Sequence, residues 1–369
     1  MTASALAAAA SEHSQDQGPE VFSGDGHSAP GTARFVTLVV LLAAALAIVL
    51  LISVATGAVR ISPAAILAAL FQHRPLTVTQ QIILLQIRLP RVLAAAVVGA
   101  ALAISGLMFQ GLFRNPMADP YVIGSSGGAV LGASIGIFFF SQLSIFGFSA
   151  TALLAFAGSV ATMAVVYSLA RANGKTHVIT LLLAGFAIST MLGYSSFFFE
   201  LLDTNGGTGN RILISWLHGV IGIPRWTQLS VTAALLLLAT LVAFPLMRQL
   251  NTLALGDEYA HHLGLRVEYT RVGIILTGSL LTAAAVSLGG LISFAGLIVP
   301  HVARLLLGPD HVRLLPVTAL AGAIFLVIAD TLARSVFAPT EIPVGILMAF
   351  LGGPFFLYLL RKTKRSYAL

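Results

Sequence analysis

The chain is dominated by long apolar stretches, many close to the roughly 20 residues that a helix needs to cross a lipid bilayer. Hydrophobic residues make up 57% of it and charged residues only 9%, whereas soluble domains carry about 25% charged residues. A surface so poor in charge cannot be solvated by water, so the chain is expected to lie in lipid. The pattern therefore predicts an all-α, polytopic integral membrane protein.

Measured against that length, the sequence predicts about ten transmembrane segments in one integral domain. The eighth segment is too short to cross at an ordinary tilt and contains Pro300, so we expect it to be re-entrant or broken. The segments centre on residues 35–58, 90–111, 121–141, 149–170, 178–201, 227–248, 271–289, 294–307, 314–335 and 342–360.

The chain is expected to divide into three parts. Residues 1–34, rich in Ala, Ser and Gly, are predicted to form a disordered cytoplasmic segment. The apolar run after them is too long for a signal peptide and is interpreted as a retained helix. Residues 35–363 form the membrane domain, with a long inner connection at 249–270, and residues 364–369 form a cytoplasmic tail.

The distribution of Lys and Arg indicates the orientation of the chain. With all ten segments crossing, most of the basic residues fall on the side of the N-terminus, so both termini are predicted to be cytoplasmic. Several arginines nevertheless fall on the outer side and call for an explanation: Arg60, Arg74, Arg88, Arg91, Arg211, Arg225 and Arg334.

Charged side chains are nearly absent from the predicted spans. Asp330 is the best candidate for a buried carboxylate, and Arg334 lies one helical turn further on, at a spacing that favours an ion pair. A proton- or sodium-coupled transporter would usually place several ionisable groups at mid-membrane. Their scarcity argues against a secondary transporter.

Gly128, Gly132 and Gly136 recur at every fourth position of the third segment. Small residues at this spacing let helix backbones approach closely. Packing within the chain and a contact between subunits both remain open at this stage.

Two kinds of chemistry have no residues to support them. The chain has no cysteines, which excludes a disulfide framework, a zinc or iron–sulfur cluster of cysteines and a thiol nucleophile. The nearest approach to a phosphate-binding loop is Asn173-Gly174-Lys175-Thr176, but Leu169 stands where such a loop needs glycine. We therefore expect no bound cofactor in this chain, and any ATP and Mg²⁺ must bind to a partner ATPase.

The longest inner connection reads RQLNTLALGDEYAHHLGLRVEYTR, from Arg248 to Arg271. Asp257 and Glu258 suit the positive end of a helix dipole, and Gly264 suits a helix C-terminus. The pattern predicts a short amphipathic helix on the cytoplasmic surface, either a solvated connector or a docking helix for a cytoplasmic partner. His261 and His262 are adjacent and point to different faces, so they form a poor metal pair.

Seven short motifs occur along the chain in a definite order: Arg88–Arg91, Gly99–Gly106, Gln110–Pro120, Leu181–Gly185, Gly256–Gly264, Phe294–Arg304 and Glu341–Gly345. In sequence and spacing they resemble the FecCD-type permeases of type II ATP-binding-cassette (ABC) importers, which carry ferric siderophores, haem or cobalamin. The resemblance covers roughly residues 35–363. It implies a non-enzymatic transport subunit in the cell (inner) membrane that works as a homodimer.

The resemblance also assigns partners. Two copies of a cytoplasmic ABC ATPase would dock on the inner connection, which becomes a coupling loop formed by Gly256, Asp257, Glu258, Ala260, Leu263 and Gly264. A periplasmic or lipid-anchored substrate-binding protein would dock from outside, its acidic residues pairing with Arg88, Arg91 and Arg334. Without the resemblance, these arginines could instead be reaching toward lipid headgroups.

Two segments are candidates for a cytoplasmic gate on the same grounds. Asn115 and Met117 form a turn after the second segment that either narrows the exit or simply ends the helix, since Asn-Pro is a strong helix breaker. Some family members have hydroxyl residues at the second constriction, where this chain has Val178 and Ile179. The second constriction would therefore be apolar here.

The expected cargo is a bulky iron chelate such as a ferric siderophore, with cobalamin or haem as the alternative. Two readings from other classes are a secondary transporter or channel, and a membrane scaffold without transport activity. The long inner loop and the scarcity of mid-membrane charge argue against the transporter or channel, and reconstituted uptake would separate the importer from the scaffold.

Overall fold

The structure is a computed structural model, and it describes residues 31–57, 59, 61–71, 76–172, 175–201, 207–336, 338 and 340–366. Its helices are α1 (Thr32–Ala55), α2 (Pro63–Phe71), α3 (Val78–Ile82), α4 (Leu89–Leu112), α5 (Ser125–Phe140), α6 (Ala150–Ala170), α7 (Val178–Leu201), α8 (Thr208–Leu217), α9 (Trp226–Ala254), α10 (Asp257–His262), α11 (Val267–Gly289), α12 (Ala295–Leu307), α13 (His311–Ser335) and α14 (Val344–Ser366). A π-helical turn, Ile83–Arg88, joins α3 to α4, and a 3-10 turn, Pro120–Ile123, precedes α5.

The all-α membrane fold is confirmed. Among the described residues, seven helical stretches are long and apolar enough to cross a bilayer: α1, the continuous stretch Val78–Leu112, α6, α7, α9, α11 and α13. Three shorter apolar helices, α5, α12 and the first part of α14, account for the other predicted segments. The predicted spans therefore each have a helical counterpart.

The second span begins earlier than predicted, at Val78 instead of residue 90. Proline at position 90 suggests a helix start, because its ring clashes with the carbonyl four residues before it. Here the π-helical turn directly precedes this proline and widens the backbone, so the helix continues through it.

Two small antiparallel hairpins were not predicted. One pairs β1 (Ser144–Ile145) with β2 (Phe148–Ser149), and the other pairs β3 (Arg171–Ala172) with β4 (Lys175–Thr176). The second includes the last two residues of the segment that mimics a phosphate-binding loop, whereas Asn173 and Gly174 lie outside the described residues. Arg60, Arg74, residues 1–30 and residues 367–369 also lie outside them, so the predictions made for those residues are not described.

Helix α4 is the centre of the bundle and is buried at nearly every position from Pro90 to Gln110. It contacts α11, α13, α12 and α9. A Cβ on Gly106 would overlap the backbone of Gly296 in α12, and a Cβ on Gly99 would overlap that of Gly322 in α13. These glycines therefore set how closely the helices approach each other.

Helices α5 and α6 pack in the same way. The glycines at positions 128, 132 and 136 face α6, where a Cβ on each would meet backbone or hydroxyl atoms of Gly158, Leu154 and Thr151, or of Thr162. The glycine repeat is thus used for packing within the chain. The glycine repeat therefore faces a helix of the same chain and not a second subunit.

The eighth predicted segment is short, as expected. Helix α12 has 13 residues and begins after Phe294, which has a positive φ of 68°. Its first turn lies near the middle of α4, because a Cβ on Gly296 would meet the carbonyl of Leu102 and the ring of Pro120. Of the non-helical residues before it, Gly290 and Ile292 are buried in the bundle and Ser293 is exposed, so protein atoms surround only part of this backbone.

We predict that Gly106→Ala lowers the thermal unfolding midpoint of the purified protein by about 2–4 °C or more. Alanine normally stabilises a helix interior relative to glycine by up to ~1 kcal/mol, but overpacking costs about 1–3 kcal/mol and should prevail here. Gly193→Ala in α7 is the matched control, since nothing lies within 4 Å of a Cβ at that position. Equal midpoints for the two variants would contradict the close approach.

Candidate functional site

The inner connection forms the short helix that the sequence predicts. Gly256 precedes α10 with a φ of +118°, and Gly264 follows it with a φ of +82°, so both use backbone conformations that suit glycine. Ala260 is fully buried and anchors the helix, whereas Leu263 is 67% exposed and Glu258 is also exposed. An apolar side chain offered to solvent at this point is typical of a docking surface.

Asp257 joins α10 to two other parts of the cytoplasmic face. Its Oδ1 accepts a hydrogen bond from Arg114 Nη2 at 3.0 Å, and its Oδ2 pairs with Arg271 of α11. Arg114 also donates to the backbone carbonyl of Leu253, at the end of α9. Neither arginine partner was identified from the sequence, because each lies far from Asp257 along the chain or on a different helix.

The Asn115–Met117 turn directly follows Arg114. Asn115 Oδ1 accepts a hydrogen bond from the Met117 backbone N–H at 2.9 Å, and the Asn115 N–H donates to the carbonyl of Gln110 at 3.1 Å. Asn115 is exposed and Met117 is half-buried. The turn is therefore held in a defined shape by its own side chain.

Val178 and Ile179 open α7 directly after the β3–β4 hairpin. Glu268 of α11 fixes the hairpin, accepting hydrogen bonds from the Thr176 backbone N–H at 3.1 Å and from the Thr176 hydroxyl. One apolar cluster contains Ala118, the residue after Met117, and Leu181 of α7, so both predicted gate segments border the same cluster.

A second polar group lies deeper at the inner end. Gln110 donates to the carbonyl of Leu297 at 3.1 Å and accepts from Arg304 at 3.0 Å, which ties α4 to α12. This group was missed in the sequence, although Gln110 and Arg304 both stand inside the motifs that carry the resemblance.

The three outer arginines are engaged within the chain. Arg88 is 6% exposed and donates to the carbonyls of Val54 and Ala55, each at 3.1 Å, and to that of Val59. It thereby satisfies carbonyls at the C-terminal end of α1 that have no partner in the helix. In this state its guanidinium faces α1 and not the outer solution.

Arg91 and Arg334 share the buried carboxylate of Asp330, which has no exposed surface. Asp330 lies 3.2 Å from Arg91 Nη2 and 2.9 Å from Arg334 Nε, and the predicted pair with Arg334 is confirmed. Arg91 also reaches Glu341 at 2.8 Å, and Arg334 reaches the Ser53 hydroxyl at 3.0 Å. We call these five side chains the outer ion cluster.

The geometry gives the outer ion cluster a structural task that the sequence did not indicate. It links α1, α4, α13 and the segment before α14, whose residues are far apart in the chain. Among the side chains of the outer ion cluster that the structure describes, only Glu341 is about half exposed, at 51%. The predicted docking role of Arg88, Arg91 and Arg334 stays a prediction.

A cavity of about 440 Å³ lies beside the start of α12, lined by Leu217, His218, Ser293, Phe294 and Phe350 among others. The backbone of His218 is fixed by a hydrogen bond from the Gly345 N–H to its carbonyl at 3.0 Å. The cavity is mainly apolar with few polar groups, as small-molecule sites usually are. Across the described residues, no cluster of His, Asp and Glu could hold a metal ion.

We predict that Asp330→Asn destabilises the protein far more than Glu341→Gln. Removing the charge of the buried carboxylate leaves Arg334 without a carboxylate partner and Arg91 with only Glu341, at a cost of about 3–5 kcal/mol. A half-exposed pair, in contrast, contributes about 0–1 kcal/mol. Thermal unfolding of the detergent-solubilised variants would measure the difference. Similar midpoints would show that Asp330 does not hold the outer ion cluster together.

Comparison with known families gives a match over most of the chain. The sequence profile described as the FecCD transport family matches residues 45–362. That range contains the whole bundle except the start of α1 and the last residues of α14. It also includes α10, both predicted gate segments and the outer ion cluster.

Individual relatives agree with the family match. The cobalamin import system permease protein BtuC of Halobacterium salinarum is 43% identical over 78% of this chain and 75% of its own length. The hemin transport system permease protein HmuU of Yersinia pestis is 41% identical, covering 76% and 84%. The Fe(3+) dicitrate transport system permease protein FecD of Escherichia coli is 37% identical, covering 76% and 86%.

A solved structure shares the architecture. It is described as an inward-facing conformation of a metal-chelate type ABC transporter, and its chain superposes with a TM-score of 0.76 at 30% identity. The superposition covers 88% of this chain and 99% of that one. The bundle and its short helices therefore follow an arrangement that is already known.

Proposed function

The chain belongs to the FecCD transport family, and on that premise we propose that it is the membrane-spanning permease subunit of an ATP-driven importer of a bulky metal chelate. The observation that carries the proposal is α10, a short helix with an anchored alanine and an exposed leucine between two membrane helices. It lies where a cytoplasmic ATPase can reach it. The chain sits in the cell (inner) membrane, with both termini in the cytoplasm.

The subunit performs no covalent chemistry in this proposal. ATP and Mg²⁺ bind to a separate ABC ATPase, of which two copies dock on α10 of two permease copies. The permease works as a homodimer in this proposal, and the exposed apolar stripe on α7, which includes Ile179, Leu183, Phe186 and Tyr194, is a surface available for the subunit contact. ATP binding and hydrolysis bias an equilibrium between inward- and outward-facing forms.

The cargo path ends at the cytoplasmic gate formed by Asn115, Met117, Val178 and Ile179. Two observations support this assignment: the Asn115–Met117 turn is held by its own hydrogen bonds, and both segments meet one apolar cluster. An apolar constriction can close by excluding water and open when the helices separate slightly.

Docking of a substrate-binding protein from outside is part of the same proposal. Arg88, Arg91 and Arg334 supply the positive charge, and Glu341 is the exposed carboxylate that now occupies Arg91. A carboxylate of the binding protein would take the place of Glu341 when it docks. Contacts of this kind govern association rate and orientation more than affinity.

For the cargo we propose a ferric siderophore or a similar iron chelate. Cobalamin or haem is the second candidate, favoured by the identities of 43% and 41% to relatives named for them. The mainly apolar cavity beside His218 supports a cargo with a large apolar surface over a small hydrated ion.

The alternative of a secondary transporter or channel has less support. Asp330, the candidate mid-membrane carboxylate, is bound by two arginines, and a carboxylate held this way is a poor proton carrier. A scaffold without transport activity would have no use for an exposed coupling helix.

Uptake into liposomes tests the proposal directly. Vesicles that contain this chain, its ATPase and its binding protein should accumulate one of three cargoes, a ferric siderophore, hemin or cobalamin, only when ATP is supplied to the ATPase. An ATPase variant unable to hydrolyse ATP is the control. Failure of all three cargoes with an active ATPase would remove the importer assignment.

We predict that Leu263→Glu abolishes stimulation of the partner ATPase by the permease while leaving the thermal unfolding midpoint unchanged. The side chain is 67% exposed, so the substitution alters the docking surface with little effect on the core, typically within about 0.5 kcal/mol. ATP hydrolysis is measured with and without the reconstituted permease. Full stimulation by the variant would exclude Leu263 from the docking contact.

A further inference from the structure

Asp257 has two separate connections, and they lead to the two segments of the predicted cytoplasmic gate. One runs through Arg114, whose next residue is Asn115. The other runs through Arg271, which lies 3.9 Å from Glu268, and Glu268 holds Thr176 two residues before Val178. A single carboxylate on α10 is thus connected to both sides of the exit.

The first connection acts on a strained backbone. Arg114 has a φ of +48°, a left-handed conformation that residues other than glycine adopt at a cost of about 1–3 kcal/mol. Such a conformation persists only where its surroundings hold it. The holding contacts are the bonds from its guanidinium to Asp257 and to the carbonyl of Leu253.

The second connection acts on a short hairpin. Strands β3 and β4 contain only two residues each, so they contribute few hydrogen bonds of their own. The two bonds from Thr176 to Glu268 fix the hairpin against α11, and α7 starts immediately after it. The start of α7 is therefore positioned from α11 and, through Arg271, from α10.

We propose that Arg114, Asp257, Arg271 and Glu268 are positioning residues that tie α10 to both gate segments, so that displacement of α10 by a docked partner moves the two segments together. We call them the inner ion cluster. The inference rests on the proposed function, because the gate and the docked partner belong to it. It adds the specific side chains through which the movement passes.

The strength of these contacts suits such a role. Arg114 and Asp257 are each about half exposed, with side-chain exposures of 47% and 49%. Partly exposed ion pairs of this kind shift an equilibrium by about fivefold at most. Arg271 and Glu268 are less exposed, at 17% and 24%. The Arg114–Asp257 pair can therefore bias the gate without being required for the fold, unlike the buried Asp330 of the outer ion cluster.

The absence of cysteine allows a direct test on the permease alone. Single reporters, Met117→Cys and Val178→Cys, are introduced separately, one on each gate segment. Each protein is reconstituted in lipid nanodiscs without any partner, and its labelling rate with a charged, water-soluble maleimide is measured. Thermal unfolding confirms that each variant is folded.

Three substitutions should give three different patterns. Asp257→Asn should raise the labelling rate at both reporters by about twofold to fivefold, Arg114→Gln only at Met117→Cys, and Glu268→Gln only at Val178→Cys. Arg248→Gln is the control, because Arg248 is exposed near the end of α9, lies over Phe244 of the same helix and has no ion pair among the residues that the structure describes. It should leave both rates at the parent value.

The inference is overturned if Asp257→Asn changes neither rate, or if Arg114→Gln or Glu268→Gln changes both reporters equally. It is also overturned if Arg248→Gln acts like Asp257→Asn. If Asp257→Asn does not fold, the other two substitutions still test the inference. They show whether each connection acts on its own gate segment or whether neither connection acts at all. No step requires ATP, cargo or a partner. Loss of the pattern with intact uptake therefore refutes this inference alone, and absence of uptake with an intact pattern refutes the proposed function alone.

Discussion

Close contact between helix backbones around α4 is the constraint on which the rest of the structure depends. In lipid, apolar side chains gain little by leaving their surroundings, so helices associate mainly through tight packing. Gly106 against Gly296 and Gly99 against Gly322 bring α12 and α13 onto α4. Those contacts place Asp330 beside Arg91 at the outer end and the carbonyl of Leu297 beside Gln110 at the inner end. Both polar groups are consequences of helix positions that glycine sets.

The spans and the short helix α10 could be predicted because their signals are local. A run of apolar residues fixes a membrane helix, and Asp257, Glu258 and Gly264 mark the ends of α10 within a few positions of one another. The family could also be identified from short motifs, since their order and spacing are read directly along the chain. The extension of the second span to Val78 was missed for the same reason. Pro90 is a local signal for a helix start, whereas the π-helical turn before it has no local sequence signal.

The pairing of charges was beyond sequence reasoning for a physical reason. Arg91 meets Glu341 across 250 positions, and Arg114 meets Asp257 across 143, so nothing local indicates either pair. Only Asp330 and Arg334, one helical turn apart, could be matched beforehand. The same limit hid the contacts of Arg88, since its partners are backbone carbonyls of α1, which carry no sequence signature.

The contacts of α1 have a consequence for how the protein is made. This helix is little buried, and Ser53 near its end accepts hydrogen bonds from Arg334 and Thr331, across 281 and 278 positions. The ribosome delivers α1 to the membrane long before α13, which is the last but one of the apolar helices among the described residues. During synthesis α1 is therefore surrounded by lipid or by the insertion machinery. Its hydrogen bonds to α13 can form only after almost the whole chain has entered the bilayer. The last stage of membrane insertion is thus expected to be the packing of α1 against α13.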